Sequence, residues 1–369
     1  MASATSLLPY TYRPLPANAQ TRIIELLPSL GSDSLTLTRK RNRESTGSGG
    51  DPLRCRLRDF DVRGNEDYEA VSYTWGEPRF TEELIVDEKY FLKTTRNFRD
   101  VLLRFRLPDR IRLLWVDAVC IDQKDDADKG RQIPRMAHIY SGASCVLVWL
   151  GDYPESAVSL RQVARFARHL HMLHVGGIDG QNTTQQSEGG TGELSRQITQ
   201  ALQSILELPW FGRLWVIQEV VLNPHVMMYC GSAQVSWTWF FHAIRSIETQ
   251  ASWSVLPSTV CNLWMRRALD GYDDGRFDTI RLLQDLSSAK CSDDRDRLWA
   301  LSALARDLEL ETREGVHSCA RFSDAPFQIP AQEMLGYKSP EEADLTNSKK
   351  IRLNVDYIQE PLPDQKACY

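Results

Sequence analysis

The residues with the most chemical potential lie in Trp210-Phe-Gly-Arg-Leu-Trp-Val-Ile-Gln-Glu219. The spacing predicts one helix. Trp215 and Glu219 are four residues apart, so they fall on one helical face. A second stripe, Trp210, Leu214, Ile217 and Val221, follows helical periodicity and should face a core. Glu219 then sits at the edge of the packed interior beside a large ring, where a carboxylate is partly desolvated. The plain alternative is an amphipathic helix whose last turn carries one solvated Glu. Arg213, on the same stretch, could pair with a carboxylate or a phosphate, but a surface ion pair is the expected role. The case for chemistry depends on what else converges on Glu219.

The elements that could position such a group are strands ending in polar residues. Residues 68–75 are rich in β-formers and stop at Gly76-Glu-Pro78. Residues 112–117 and 144–150 are nearly continuous apolar runs, which suits strands covered on both faces. Residues 225–230 form a fourth strand, 22–27 could form another, and 84–92 suggest a small hairpin. Between them lie helical patterns: one of about ten residues capped by Asn97, one from about Gln132 after an acid-rich loop at 125–128, and long helices over 155–174 and up to 206. Ser236 caps a further helix, and helical patterns follow at 259–270, 276–288 and 296–306. The stretches 39–52 and 176–192 read as loops.

Strands alternating with helices imply an α/β fold, a parallel sheet with helices on both faces. Ligands in such sheets bind beyond the C-terminal strand ends. Ser72, Tyr73, Trp75 and Glu77 lie at one such end. Asp117, Asp122 and Gln123 lie at a second, and Asp152 closes a third. Each has an ordinary role too: Asp117 as a turn-former, Ser72 as a satisfied sheet hydroxyl.

Composition narrows the classes. The 369 residues carry a net charge of −5, which argues against a nucleic-acid-binding surface. No apolar run approaches the roughly 18 residues of a membrane span, and the N-terminal residues do not read as a signal peptide. The eight cysteines form no CxxC pair, a pattern expected of a reducing cytosol without structural zinc. His169, His171 and His174 cluster on a helix, but no further ligand stands at metal spacing. No G-x-G-x-x-G turn follows a strand, so a dinucleotide-dependent oxidoreductase is not expected.

Three segments in series resemble the fungal heterokaryon incompatibility (HET) domain. They are Tyr68-Glu-Ala-Val-Ser-Tyr-Thr-Trp-Gly76; Leu114-Trp-Val-Asp-Ala-Val-Cys-Ile-Asp-Gln123 with Gln132-Ile-Pro-Arg-Met136, Ile139-Tyr140 and Trp149-Leu-Gly151; and the 210–219 stretch itself. Tyr10-Thr-Tyr-Arg-Pro-Leu15, and 282–304 with Ser292-Asp-Asp-Arg-Asp-Arg-Leu-Trp, are similar to the family's flanking segments. Asp128-Lys129 departs from the Glu-Arg that the family tends to carry. The resemblance implies a flavodoxin-like sheet, similar to TIR domains, and a role in fungal non-self recognition and programmed cell death.

Catalytic TIR domains cleave NAD⁺ at the nicotinamide–ribose bond with a glutamate, commonly in Trp-x-x-x-Glu, and Trp215-Val-Ile-Gln-Glu219 matches that pattern. The resemblance therefore implies Glu219 as catalytic carboxylate, with Ser72, Tyr73, Trp75, Asp117, Asp122 and Trp215 as substrate contacts. It also implies NAD⁺ or a related nucleotide as substrate rather than resident cofactor, no metal, a homo-oligomer when active and an incompatibility partner. The expected setting is cytoplasmic, away from membrane and nucleic acid. The alternative is a non-catalytic, self-associating signalling module. The expected organisation is an N-terminal strand and linker (1–67), the HET domain (68–235), a helical extension (236–310) and an irregular tail (311–369).

Overall fold

The computed structural model describes residues 7–16, 19–29, 51–175, 188–247, 260, 263–264, 278–291, 293–305, 307–312, 315–318 and 351–354. The core of the fold is four parallel strands: β4 (Glu69–Tyr73), β7 (Arg112–Trp115), β8 (Cys145–Trp149) and β9 (Val226–Cys230). Their order across the sheet is β7-β4-β8-β9, so in chain order they run second, first, third, fourth. That is the flavodoxin-like winding, and it reverses direction between β4 and β8. The protein is α/β with a central parallel sheet and packed helices, as expected.

The sheet extends to ten strands. Beyond β7 come β2 (Thr21–Leu26) and β3 (Arg54–Phe60), then β5 (Glu82–Val86), β6 (Tyr90–Thr94) and the short β1 (Leu8–Pro9). Beyond β9, β10 (Ala233–Ser236) closes a hairpin through Gly231, whose φ of +51° suits glycine. Strands β2 and β3 belong to the stretch set apart as 1–67, yet β2 pairs directly with β7. Neither β3 nor β10 was expected: charged residues interrupt the first, and the second is only four residues long.

Helices cover both faces. α1 (Arg96–Phe105) lies on the face of Tyr73, Trp149 and Tyr229, with Phe98 and Phe105 against those rings. Its cap is Thr95, which accepts from the Phe98 amide; Asn97 is instead free to donate to the Thr74 carbonyl at 2.7 Å. The opposite face carries α4 (Met136–Gly142), whose Tyr140 packs on Trp115. The acid-rich stretch before it is helical rather than a loop: α3 (Asp126–Gln132) is capped by Asp125, and its acidic first turn suits the positive end of the helix dipole. α5 (Pro154–Val175) packs with α6 (Glu188–Leu206) and α8 (Trp237–Ile247) beside β9 and β10. Ser236 accepts from the Trp239 amide, capping α8.

The largest departure is at 210–219, which is not one helix. A 3₁₀ turn, Pro209–Gly212, is followed by extended backbone at Arg213 and then by α7 (Val216–Val221). The break has a tertiary cause. Lys290 donates its amide to the Gly212 carbonyl at 2.8 Å, and the Leu214 amide donates to the Lys290 carbonyl at 2.9 Å. Strand-like pairing with a distant segment overrides the local helical pattern. α7 is buried on every side, its four aliphatic residues together with Gln218 and Glu219.

Two later helices, Thr279–Asp285 and Asp294–Ser302, lie within the expected extension. Part of the stretch read as irregular forms a three-stranded sheet, β11 (Leu308–Thr312), β12 (Gly315–Ser318) and β13 (Ile351–Asn354). The expected loops lie outside the described residues, apart from 51–52 and from 188–192, which opens α6; so does most of the helix expected at 259–270. Among the described residues no helix is long and apolar enough to cross a membrane.

Candidate functional site

β4 points Ser72 to the α4/α7 face and Tyr73 to the α1 face, as strand alternation requires. Ser72 sits one residue from the strand's C-terminal end, opposite Val148 of β8. That is the point where the winding reverses, the general place for a ligand crevice in such sheets. Its hydroxyl meets the Glu219 Oε2 from α7, across 147 positions of sequence. The Trp210 Nε1 donates to the same hydroxyl oxygen at 2.7 Å. An indole N–H can only donate, so the Ser72 proton is directed at the carboxylate.

Glu219 is 1% exposed and needs a counter-charge. Arg213 provides it. Its NH1 reaches Oε2 and its NH2 reaches Oε1, both at 3.2 Å. With its side chain 21% exposed, Arg213 is not the surface ion pair expected from sequence. Burial disfavours its charge, but Glu219 and Asp117 outweigh that and hold its pKa above the ordinary value. Ser72→Ala would strand the Trp210 indole N–H and leave the Glu219 Oε2 with Arg213 alone. It is expected to cost about 1–3 kcal/mol, read by urea denaturation; an unchanged midpoint would show that the relay contributes nothing.

Asp117 opens α2 (Asp117–Cys120), directly after β7. Its Oδ2 accepts from the Trp75 Nε1 at 3.0 Å and its Oδ1 from the Ala118 amide at 2.7 Å, while its carbonyl accepts from the Gln123 side chain. Gly76, with φ at +76°, turns the chain after Trp75 so closely over Asn97 that a Cβ would lie 3.2 Å from its Nδ2.

Burial pushes the Asp117 carboxyl up to about 6; Arg213 opposes that, and Glu219 adds to it. The folded protein therefore binds this proton more tightly than the unfolded chain, whose ordinary carboxyl titrates near 3.8. Stability should fall as pH rises from about 4 to 6, because the native state is losing a proton that the unfolded state has already lost. Asp117→Asn is expected to remove that part of the slope. Urea titrations of both proteins at about pH 4 and pH 6.5 check it; parallel losses would contradict it.

The other expected residues are less concentrated. The Tyr73 ring packs against Phe98 on the α1 face, and its buried phenol, near the charges of Asp117 and Arg213, is pushed well above its ordinary pKa. The Asp122 carboxylate is turned to the Lys124 amide. Trp215 does not stand over Glu219: its indole donates to Asp296 at 3.0 Å, on the outer side of α7. The structure thus brings together Ser72, Glu219, Asp117 and Trp75, and adds Arg213 and Trp210 to them. Tyr140 on α4 lies close to the same charges; burial raises its phenol, which donates to the Val71 carbonyl at 3.1 Å. The resulting cluster is a carboxylate held by one hydroxyl and one guanidinium, with a second, titratable carboxylate alongside. It can stabilise a developing positive charge once Arg213 releases it.

The heterokaryon incompatibility protein (HET) family pattern matches residues 68–219. Heterokaryon incompatibility protein 6, OR allele, of Neurospora crassa is 27% identical over 216 residues, covering 50% of this chain and 32% of that relative. The chain thus spans about a third of the length of the curated relative it matches. No solved structure matches it significantly. The family match begins just before β4 and ends on Glu219, so it contains Ser72, Trp75, Asp117, Trp210 and Arg213 as well.

Proposed function

We propose that this chain, whose residues 68–219 match the heterokaryon incompatibility (HET) family pattern, is a HET-domain protein that acts in fungal non-self recognition by cleaving NAD⁺ at the nicotinamide–ribose bond. The observation that carries this reading is the Glu219 carboxylate, held by Ser72 at the winding reversal of the sheet. The chemistry suits a single carboxylate. The electron pair of the N-glycosidic bond leaves with nicotinamide, turning a cationic pyridinium neutral, so no general acid is needed. The ribose becomes oxocarbenium-like, and Glu219 stabilises that charge. Water then adds to the anomeric carbon and gives up a proton. Arg213 must first turn away from Glu219, and Asp117, close enough to feel its charge, offers it an alternative partner. Trp75, half-buried beside Asp117, supplies a ring face for the substrate.

The test is nicotinamide release from NAD⁺ by purified protein against Glu219→Gln, across concentrations that include assembled forms. Turnover by wild type that the variant lacks supports the reading; no turnover by wild type in any state removes it. One observation favours a second reading, a non-catalytic self-associating module. Glu219 is already engaged by the Ser72 hydroxyl and two guanidinium N–H groups, as a structural carboxylate would be.

A further inference from the structure

The segment carrying Arg213 and Glu219 is tied in two directions. Inward, Trp210 and Glu219 hold Ser72 of the sheet. Outward, four bonds hold it to the chain between Lys290 and Trp299. Two are the backbone bonds that bracket Arg213, from Lys290 to Gly212 and from Leu214 to Lys290. The third runs from the Trp215 indole to Asp296. The fourth runs from the Gln218 side-chain amide to the Trp299 carbonyl at 2.6 Å. All four fall within eight residues of the site segment, and they include both neighbours of Arg213 and the residue just before Glu219.

The consequence is mechanical. Arg213 closes over Glu219 because its backbone is extended, and it is extended because Lys290 pairs on both sides of it. Without that pairing the local pattern favours a continuous helix. On such a helix residues six apart point in different directions, and the guanidinium would leave the carboxylate. We propose that residues 290–299 are an autoinhibitory latch: they hold the 212–219 segment in the form that seals Glu219, and their release opens the site. The opening follows from this geometry alone; that it switches on NAD⁺ cleavage rests on the function proposed above.

Two side-chain ties can be cut without touching the cluster. Gln218→Met keeps the side chain's length, removes the donor and also removes a buried Oε1 that has no hydrogen-bond partner. The Trp299 carbonyl still accepts from the Ser302 hydroxyl. Asp296→Ala releases the Trp215 indole at a half-buried position. In the full-length protein two readouts are followed: hydrogen exchange at the Leu214 amide, and carbodiimide labelling of Glu219 by mass spectrometry. Each variant is expected to raise both by about tenfold, without a comparable fall in Tm, because the opening is local. Unchanged exchange and labelling in Gln218→Met would overturn the latch, even if Asp296→Ala fails to fold.

Nicotinamide release is measured on the same samples. A rise that tracks labelling supports the latch as a brake. Flat or falling turnover despite increased labelling, in a protein whose wild type is active, overturns it. Increased labelling with no turnover in any form removes the glycohydrolase reading and leaves the latch standing as the closure of this site.

Discussion

Glu219→Gln is expected to lower nicotinamide release by about 10²- to 10³-fold, the usual cost of removing one preorganised electrostatic group from a transition state. The amide keeps the size of the side chain. Its oxygen at the Oε1 position still accepts from Arg213 NH2, and its NH₂ at the Oε2 position meets the Ser72 hydroxyl, which already accepts from Trp210, so Arg213 NH1 loses its acceptor. What is lost is the negative charge that the oxocarbenium-like state requires. The fold is expected to lose stability too, because Arg213 then faces a neutral group; about 1.5–3 kcal/mol is the scale for a charge-assisted hydrogen bond. Activity must therefore be compared well below both melting temperatures. Ground-state binding is expected to change less than turnover, since the charge acts on the transition state. A variant that loses stability while its turnover equals that of wild type would identify Glu219 as a structural carboxylate. That outcome would favour the signalling-module reading.

The same residues show what a sequence exposes and what it hides. β4, β7, β8 and β9 were legible because apolar runs bounded by turns are a local property. The order β7-β4-β8-β9 was not, yet it is this order that makes the end of β4 a crevice. Ser72 and Glu219 could each be singled out, but their contact spans 147 positions and no spacing rule reaches it. Arg213 was misplaced for a related reason. Read as part of one helix, it points away from Glu219; only the Lys290 pairing turns it inward. The visible signal was the Gly212-Arg213 step in the middle of an apolar pattern, where a glycine weakens any helix. Trp215 departs for a different reason. Its position relative to Glu219 is nearly helical, with the Glu219 amide donating to its carbonyl, but its ring is drawn outward by Asp296.

Arg22→Met is expected to destabilise the protein by about 3–5 kcal/mol, the range for breaking a buried ion pair by removing one partner. Arg22 on β2 is 4% exposed and Asp128 on α3 is 1% exposed, with Arg22 NH1 2.8 Å from Asp128 Oδ2. The guanidinium also donates to the Cys120 carbonyl at 3.1 Å and the Arg13 carbonyl at 2.8 Å, and stacks over the Tyr12 ring. One side chain thus joins the N-terminal segment to α2, whose first residue is Asp117. The loss should fall toward the lower end of the range, because Asp128 keeps the Asp122 amide and Arg131. Arg22→Met combined with Asp128→Asn is expected to recover part of it, since an amide oxygen can still accept from Asp122 and no unpaired charge remains buried. Urea denaturation of the two variants decides the matter. A single variant that loses less than about 1 kcal/mol would place this pair with ordinary surface bridges. A loss in the expected range would show that a residue outside the family-matched 68–219 stretch stabilises the domain through its ties to α2 and α3.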